Sequence, residues 1–223
     1  MAKRTALITG GSRGIGRAIV DALSAQGIAV MAPVRADLDL GSHASVEAWC
    51  SRHAQTRWDI LINNAGINEL KNLSDLDDDS WTRTEQINLR SPLRLMRAAV
   101  PGMVSAGWGR IVNITSIWAH VAREKRGAYA ATKAALSAVT RNLAVETAAC
   151  GILVNAVSPG FVATELTRTN NSPSEIAAIC AKIPLGRLAE PAEIAQVVAW
   201  LCSDLNTYIT GQTLIVDGGY TAV

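Results

Sequence analysis

The sequence predicts an α/β fold, a doubly wound sheet of parallel strands in one domain spanning 1–223. Three observations point there. Short apolar runs alternate with helical patterns along the whole chain. Those runs are continuous rather than alternating, as expected of strands covered on both faces. A glycine-rich turn joins the first strand to the first helix. Hydrophobic residues make up 49% of the 223 residues and charged residues 18%, which allows a sizeable core and argues against disorder.

Taken in order, TALITG (5–10) reads as a buried strand and GIGRAIVDALSAQG (14–27) as a helix stopped by Gly27. IAVMAPV (28–34) is a second strand, 45–55 a helix, and DILINNAG (59–66) a strand running into a turn. The stretch 81–107 reads as one long helix with Pro92 and Pro101 inside it, so a kink or break is expected there. RIVNITS (110–116) is a strand, 128–151 a long helix, ILVNAVSPG (152–160) a strand, 191–204 a helix and TLIVDGG (213–219) a last strand. The least regular region, 165–190, carries Asn170, Asn171, Pro173 and Pro184, and reads as a lid loop over a site.

Composition excludes several classes. The net charge is +2 with no long run of one sign, which gives no case for nucleic acid. Cys50, Cys150, Cys180 and Cys202 are scattered, so neither a metal site nor a disulfide framework is expected, and a reducing cytoplasm fits. The apolar run near the N-terminus is too short for a signal peptide, and no stretch is long enough to span a bilayer.

The chemistry-bearing residues fall into a series. TGGSRGIG (9–16) could bring backbone N–H groups and a helix N-terminus to a pyrophosphate, or be a plain strand–helix turn. NNAG (63–66) and Ser116 end two later strands, where doubly wound sheets bind ligands. Asn88 lies in the long helix between them, and Tyr129 and Lys133 stand four apart on a helix, hence on one face. Alone, a Tyr-x-x-x-Lys is as readily a surface pair. Together and in this order, the motifs make the chain resemble the short-chain dehydrogenase/reductase family, in its short single-domain branch, similar to the 3-oxoacyl-[acyl-carrier-protein] reductases. SPGFVATE (158–165) and GQTLIVDGG near the end extend the resemblance over nearly the whole chain.

The resemblance implies a Rossmann-type fold, an NADP(H) cofactor and a catalytic set of Asn88, Ser116, Tyr129 and Lys133. It places the cofactor against Gly10, Ser12, Arg13, Gly14, Ile15 and Gly16, against Asn64, Ala65 and Gly66, and against Pro159, Gly160, Val162 and Thr164. Arg35, Asp39 and Leu40 would meet its adenosine end, while Tyr129 and Lys133 reach the nicotinamide ribose. The chemistry has its own logic. Reducing a ketone needs a hydride on carbon and a proton on oxygen, and a free phenol near pKa ~10 is a weak acid. A cation one helical turn away favours phenolate, a role Lys133 can fill. Ser116 would hydrogen-bond the substrate oxygen, and by resemblance Asn88 would seat a water linking Lys133 to solvent.

Val34 stands where NAD-dependent members carry Asp, with Arg35 next, and a cation there suits the 2′-phosphate of NADP. Arg13 adds a second charge, although it could serve solubility and Arg35 could pair with Asp37 or Asp39. One departure stands out. Val34 and Asp39 are almost adjacent, so the helix between strands 2 and 3 must be missing and strand 3 rudimentary or reached by a tight bend. For the substrate, Ser116, Trp118, His120, Phe161 and Arg168 are candidates, Arg168 by resemblance to a docking arginine of carrier-protein reductases. REKR (123–126) reads as a cationic rim or a solvated loop. The expected activity is reduction of a small-molecule carbonyl, with a carrier-protein or CoA thioester as one form and a neutral ketone, sugar or secondary alcohol as another. A non-catalytic NADP-binding scaffold and an extended epimerase or dehydratase are the rival classes. The resemblance also implies a homotetramer.

Overall fold

The apolar runs become six parallel strands of one sheet in a computed structural model, which describes residues 4–223 apart from the side chain of Leu166. Residues 1–3, part of the N-terminal run weighed above, lie outside the described residues. The strands are β1 (Thr5–Ile8), β2 (Ala29–Met31), β3 (Ile60–Asn63), β4 (Gly109–Ile114), β5 (Ile152–Pro159) and β6 (Thr213–Val216), in spatial order β2-β1-β3-β4-β5-β6. Side chains alternate across a strand, so each continuous run feeds two cores. Ala6, Ile8, Ile60, Ile62 and Val112 face α1 (Gly14–Ala25) and α8 (Pro191–Leu201) through Ile19, Leu23, Ile194 and Val198. Leu7, Leu61, Ile111 and Val154 face the opposite layer, where α2 (His43–Arg52) brings Trp49, α4 (Ser91–Ala106) brings Leu95 and Met103, and α5 (Gly127–Thr147) brings Leu136.

The strand order reverses at β1, which has β2 on one side and β3 on the other. The loops leaving β1 and β3 diverge there and open a crevice at the carboxyl ends of the strands. Two side chains hold its edges together. Asn64 Nδ2 donates to the carbonyls of Thr9 (3.0 Å) and Gly10 (3.1 Å). Thr9 Oγ1 accepts from the N–H groups of Asn64 (3.0 Å) and Ala65 (3.1 Å). Gly16 sits inside this stitch. A Cβ there would lie 2.1 Å from Gly10 O and 2.4 Å from Asn64 Nδ2, so the first turn of α1 approaches the loop as closely as it does because the residue is glycine.

Three expectations are corrected. No rudimentary strand follows β2, and neither helix nor strand forms among the described residues between Met31 and His43. Too few residues separate them for a crossover. Instead the N–H groups of Asp37 and Leu38 turn back onto Val34 O, both at 3.0 Å. Leu38 and Leu40 then drop into the core beside Trp49, and Ser42 caps α2 by accepting from Ser45 N. The β2 strand is left as the sheet edge, with Met31 40% exposed.

The long helix 81–107 breaks, but its irregular turn precedes both prolines. It divides into α3 (Asp78–Glu85), a π-helical turn (Gln86–Arg90) and α4. Pro92 lies in the first turn of α4, where a missing N–H is tolerated, and Pro101 rides on its exposed side. The region 165–190 is not an irregular loop. It holds α6 (Glu165–Asn170), capped by Thr164, and α7 (Pro173–Cys180), whose Ser172 and Glu175 form a reciprocal capping box. Pro173 opens that helix rather than interrupting a chain.

Gly16→Ala is expected to lower stability by about 1–3 kcal/mol, the usual cost of forcing a methyl into filled space. Urea unfolding of the two proteins measures it; an unchanged midpoint and slope would show that the loop yields freely.

Candidate active site

The crevice is a cleft of about 380 Å³. Its phosphate side is the turn after β1. Gly10, Ser12, Arg13, Gly14, Ile15 and Gly16 all line it. Arg13 is the N-cap of α1 but makes no side-chain cap bond, and the first turn carries no acidic residue. Those backbone N–H groups at a helix N-terminus suit a pyrophosphate. Asn64, Ala65 and Gly66 form the floor after β3, and Pro159, Gly160, Val162 and Thr164 form the far wall after β5. A second cavity of about 250 Å³ continues past Ala65 and Gly66 to Val34, Arg35, Asp39 and Leu40. The shortened connection after β2 therefore still walls a space for the adenosine end of a dinucleotide, using a turn in place of a strand and helix.

At the deep end, four side chains converge. Lys133, on α5, is buried and donates from Nζ to Ile114 O at 2.8 Å, the carbonyl at the end of β4. Desolvation pushes its pKa down to about 8. Asn88 is fully buried in the π-helical turn. Its Oδ1 accepts from Ile67 N (2.9 Å), while Nδ2 donates to Ile67 O (2.9 Å) and Thr132 Oγ1 (3.2 Å). Both side chains close on Gly66, where a Cβ would lie 3.1 Å from Asn88 Oδ1 and 3.2 Å from Lys133 Nζ. The residue four on from Asn88 is Pro92, which has no N–H, so the Asn88 carbonyl lacks the donor an α-helix would give it. Ser116, in the bend after β4, accepts from Trp118 N at 3.3 Å and faces the cleft together with Tyr129.

Some sequence expectations are corrected. Lys133 does not lower the Tyr129 pKa. Its ammonium turns to Ile114 O and lies 5.6 Å from the centroid of the Tyr129 ring. Burial raises the phenol above its ordinary range, against smaller opposing effects of the Ser116 hydroxyl and the Arg126 charge. Arg13 forms an ion pair with Glu165, which reaches across the mouth from α6. Arg35 rests 3.4 Å from Asp39, the partner weighed for it above. Trp118 and Phe161 are buried and meet edge to face at 5.8 Å beside the catalytic end. His120 is exposed beyond the bend and lines none of these cavities, because the 3₁₀ turn over Ile117–Ala119 carries it outward. Arg168 stands exposed on α6, also outside the lining residues.

The sequence missed four contributors to the site. Thr167 lines the cleft from α6 and donates from its hydroxyl to Val162 O at 2.6 Å. Asn68 and Asn171 line a smaller cavity beside Ser116 and Tyr129. The fourth is Arg126, read as one of a run of rim charges, yet buried. Lys125 before it has φ +62°, an unusual left-handed turn for a lysine, and the chain reverses there so that consecutive side chains leave on opposite sides. Among the described residues no group of three His, Cys, Asp or Glu could hold a metal ion, and no helix is long and apolar enough to cross a membrane.

Known proteins share this architecture. A family model described as enoyl-(acyl carrier protein) reductase matches residues 30–221. The 3-oxoacyl-[acyl-carrier-protein] reductase of Salmonella typhimurium is 39% identical over 236 aligned positions, covering 97% of this chain and 96% of the relative. That alignment is longer than the chain itself, so the relative carries residues that this chain lacks. The cis-4-hydroxycyclohexanecarboxylate dehydrogenase of Sinomonas cyclohexanicum is 38% identical, covering 100% of this chain and 98% of the relative. Among solved structures, a gluconate 5-dehydrogenase from Burkholderia cenocepacia J2315, in complex with NADP and tartrate, superposes with a TM-score of 0.89 at 30% identity, covering 100% of this chain and 97% of the other. With a dinucleotide-shaped crevice ending at Ser116, Tyr129 and Lys133, and with these relatives matched along almost its entire length, the chain belongs to the short-chain dehydrogenase/reductase family of oxidoreductases.

Proposed function

We propose that the protein is an NADP(H)-dependent carbonyl reductase, running in reverse as a secondary-alcohol dehydrogenase, with Tyr129 as the proton donor. The observation that carries this is the convergence of Ser116, Tyr129 and Lys133 at one end of a cleft whose other end is a glycine cradle, with Asn88 buried behind Gly66 beside Lys133. The residues present fit the cofactor, since Gly10, Ser12, Gly14 and Gly16 line the cleft at the N-terminus of α1, whose first turn carries no acidic residue. When bound, NADPH supplies the hydride that turns the carbonyl carbon into an alcohol carbon, leaving NADP⁺.

The chain does the rest. Tyr129, its phenol kept protonated at neutral pH by burial, gives its proton to the carbonyl oxygen as that oxygen gains charge. Ser116 holds the same oxygen by donating its hydroxyl hydrogen. The charge of Arg126 favours the phenolate left behind. Reprotonation then needs a path from solvent. Lys133 lies beside Asn88, whose backbone carbonyl lacks an α-helical donor and suits a water between ammonium and bulk.

The choice of NADP(H) rests on Arg35 at the adenosine end, with Val34 in place of an acidic residue. The gluconate 5-dehydrogenase neighbour, described with NADP, supports it. Arg35 is 84% exposed in its side chain and loosely paired, free to leave Asp39 for a phosphate. Among substrates, the relatives divide between carrier-protein thioesters and free hydroxy acids. Exposed Arg123 and Lys125 near the site favour an acidic carrier as a second reading.

Tyr129→Phe is expected to keep NADPH binding, read by cofactor fluorescence, and to cut ketone reduction by ~10²–10⁴-fold. Near-normal turnover would remove Tyr129 from the proton-donor role. NADPH is expected to outcompete NADH, and Val34→Asp with Arg35→Ala to reverse that order; equal dissociation constants in the unaltered protein would end the case for Arg35. Because Lys133 keeps its charge below about pH 8 and loses it above, kcat/KM for reduction is expected to be level on the acid side and to fall as pH rises through about 8. A profile level through the alkaline range would show that the ammonium is not used.

A further inference from the structure

We infer that Arg126 anchors a carboxylate of the substrate, so that the substrate class is a short oxo acid and its hydroxy acid. This deepens the reductase reading above and rests on it. The cavity beside the proton donor holds about 90 Å³, well under the ~300 Å³ at which pockets take drug-sized ligands. Ser116 and Tyr129 form its reactive side, Trp118 and Phe161 its apolar walls, and Arg126 and Asn68 its polar side.

Arg126 is 6% exposed, yet among the described residues its guanidinium has no hydrogen bond and no ion pair. Its one aromatic contact among the described residues is with the Trp118 ring, 5.3 Å from the centroid, and leaves its N–H donors free for a ligand. Its neighbours sharpen the imbalance. Arg123 acts on it as a like charge, and it sits at the N-cap of the 21-residue α5, the positive end of a helix. A buried cation in that setting is costly unless a partner arrives. Asn68 Oδ1 is likewise buried with no donor. A carboxylate answers the guanidinium with two parallel hydrogen bonds.

The spacing adds the length. Arg126 is the N-cap residue of α5, three positions before Tyr129, and both line this one small cavity. A carboxylate on Arg126 and a carbonyl oxygen on Tyr129 must belong to a molecule with few atoms between them. A 3-oxoacyl thioester places an uncharged thioester there and would leave the buried charge unpaired. The reaction touches only the ketone: the hydride goes to its carbon, the Tyr129 proton to its oxygen, NADPH is oxidised, and the carboxylate is unchanged.

The test compares 3-oxobutanoate and 4-oxopentanoate with their methyl esters and with 3-oxobutanoyl-CoA, using NADPH and the wild-type, Arg126→Gln and Arg126→Lys proteins. The thermal midpoint of each NADP⁺-loaded protein is read with the same acids. Wild type is expected to prefer acid over ester in kcat/KM by about ten-fold or more. Arg126→Gln should bring that ratio towards one through KM, and Arg126→Lys should restore part of it. The acids should raise the midpoint of wild type and the Lys variant but not of the Gln variant. Esters or the thioester reduced as well as acids, or an acid preference or midpoint shift surviving in Arg126→Gln, would overturn the anchor and leave the reductase standing. Acids that shift the midpoint through Arg126 without any Tyr129-dependent reduction of acid, ester or thioester would keep the anchor and fail the reductase reading. Neither shift nor reduction would overturn both.

Discussion

The burial of one ammonium organises the catalytic end of this molecule. Lys133 is 2% exposed, and such a charge persists only where the surroundings supply acceptors. Here the end of β4 supplies Ile114 O, and the turn after β3 supplies a glycine at position 66 so that nothing crowds the Nζ. The π-helical turn then has a physical purpose. It widens the helix at Asn88, which clamps Ile67 through both ends of its amide and holds the turn after β3 against Thr132 on α5. Strand end, turn, irregular helix and α5 are thus tied into one block around a single charge. The cofactor crevice runs into that block because the sheet reverses direction beside it.

The fold was legible where its physics is local and repetitive. Strands covered on both faces must be apolar throughout, and runs such as 59–66 and 152–160 announced themselves as such. Legibility failed where one residue type serves opposite purposes. Pro173 and Asn171 read as breakers, yet a proline at the first position opens a helix, and Ser172 with Glu175 was a capping signature in plain view. Pro92 suggested a kink of its own, whereas the irregularity came before it and involves Asn88. The missing crossover after β2 was readable as a shortage of residues, but not its outcome. That Leu38 and Leu40 would fill the core in place of a strand depends on packing that no window of sequence contains.

The grouping of Ser116, Tyr129, Lys133 and Asn88 was legible through spacing on one helix and order along the chain. Its electrostatics were not. A tyrosine four residues before a lysine suggested direct coupling, but the Lys133 side chain points past the ring to a carbonyl at the end of β4, a partner distant in sequence. The substrate wall was misread for a related reason. REKR looks like one solvated cluster because its residues are all charged. A left-handed turn at Lys125 sends neighbours to opposite sides, leaving Arg123 at the surface and Arg126 inside. His120 and Arg168 were misplaced in the reverse sense, polar residues close in sequence to the site but carried out of it by a 3₁₀ turn and a short helix.

What results is a division of labour along α5. On the proposal made above, its N-cap Arg126 would read the charge of the substrate, while the turn that follows would present Tyr129 and Lys133 for the chemistry. Their closeness in sequence ties those two functions to one end of one helix, whose backbone hydrogen bonds begin beside Arg126. The other walls are apolar. Phe161, Ile179 and Ile183 pack with Ile117 and Trp118, against Tyr129 and Tyr220, as a small cluster outside the two main cores, and Glu165 ties α6 to the glycine loop through an exposed pair worth little. On that proposal, selectivity for charge would come from the start of α5, and the apolar cluster around Tyr129 would shape the space left for the rest of the substrate.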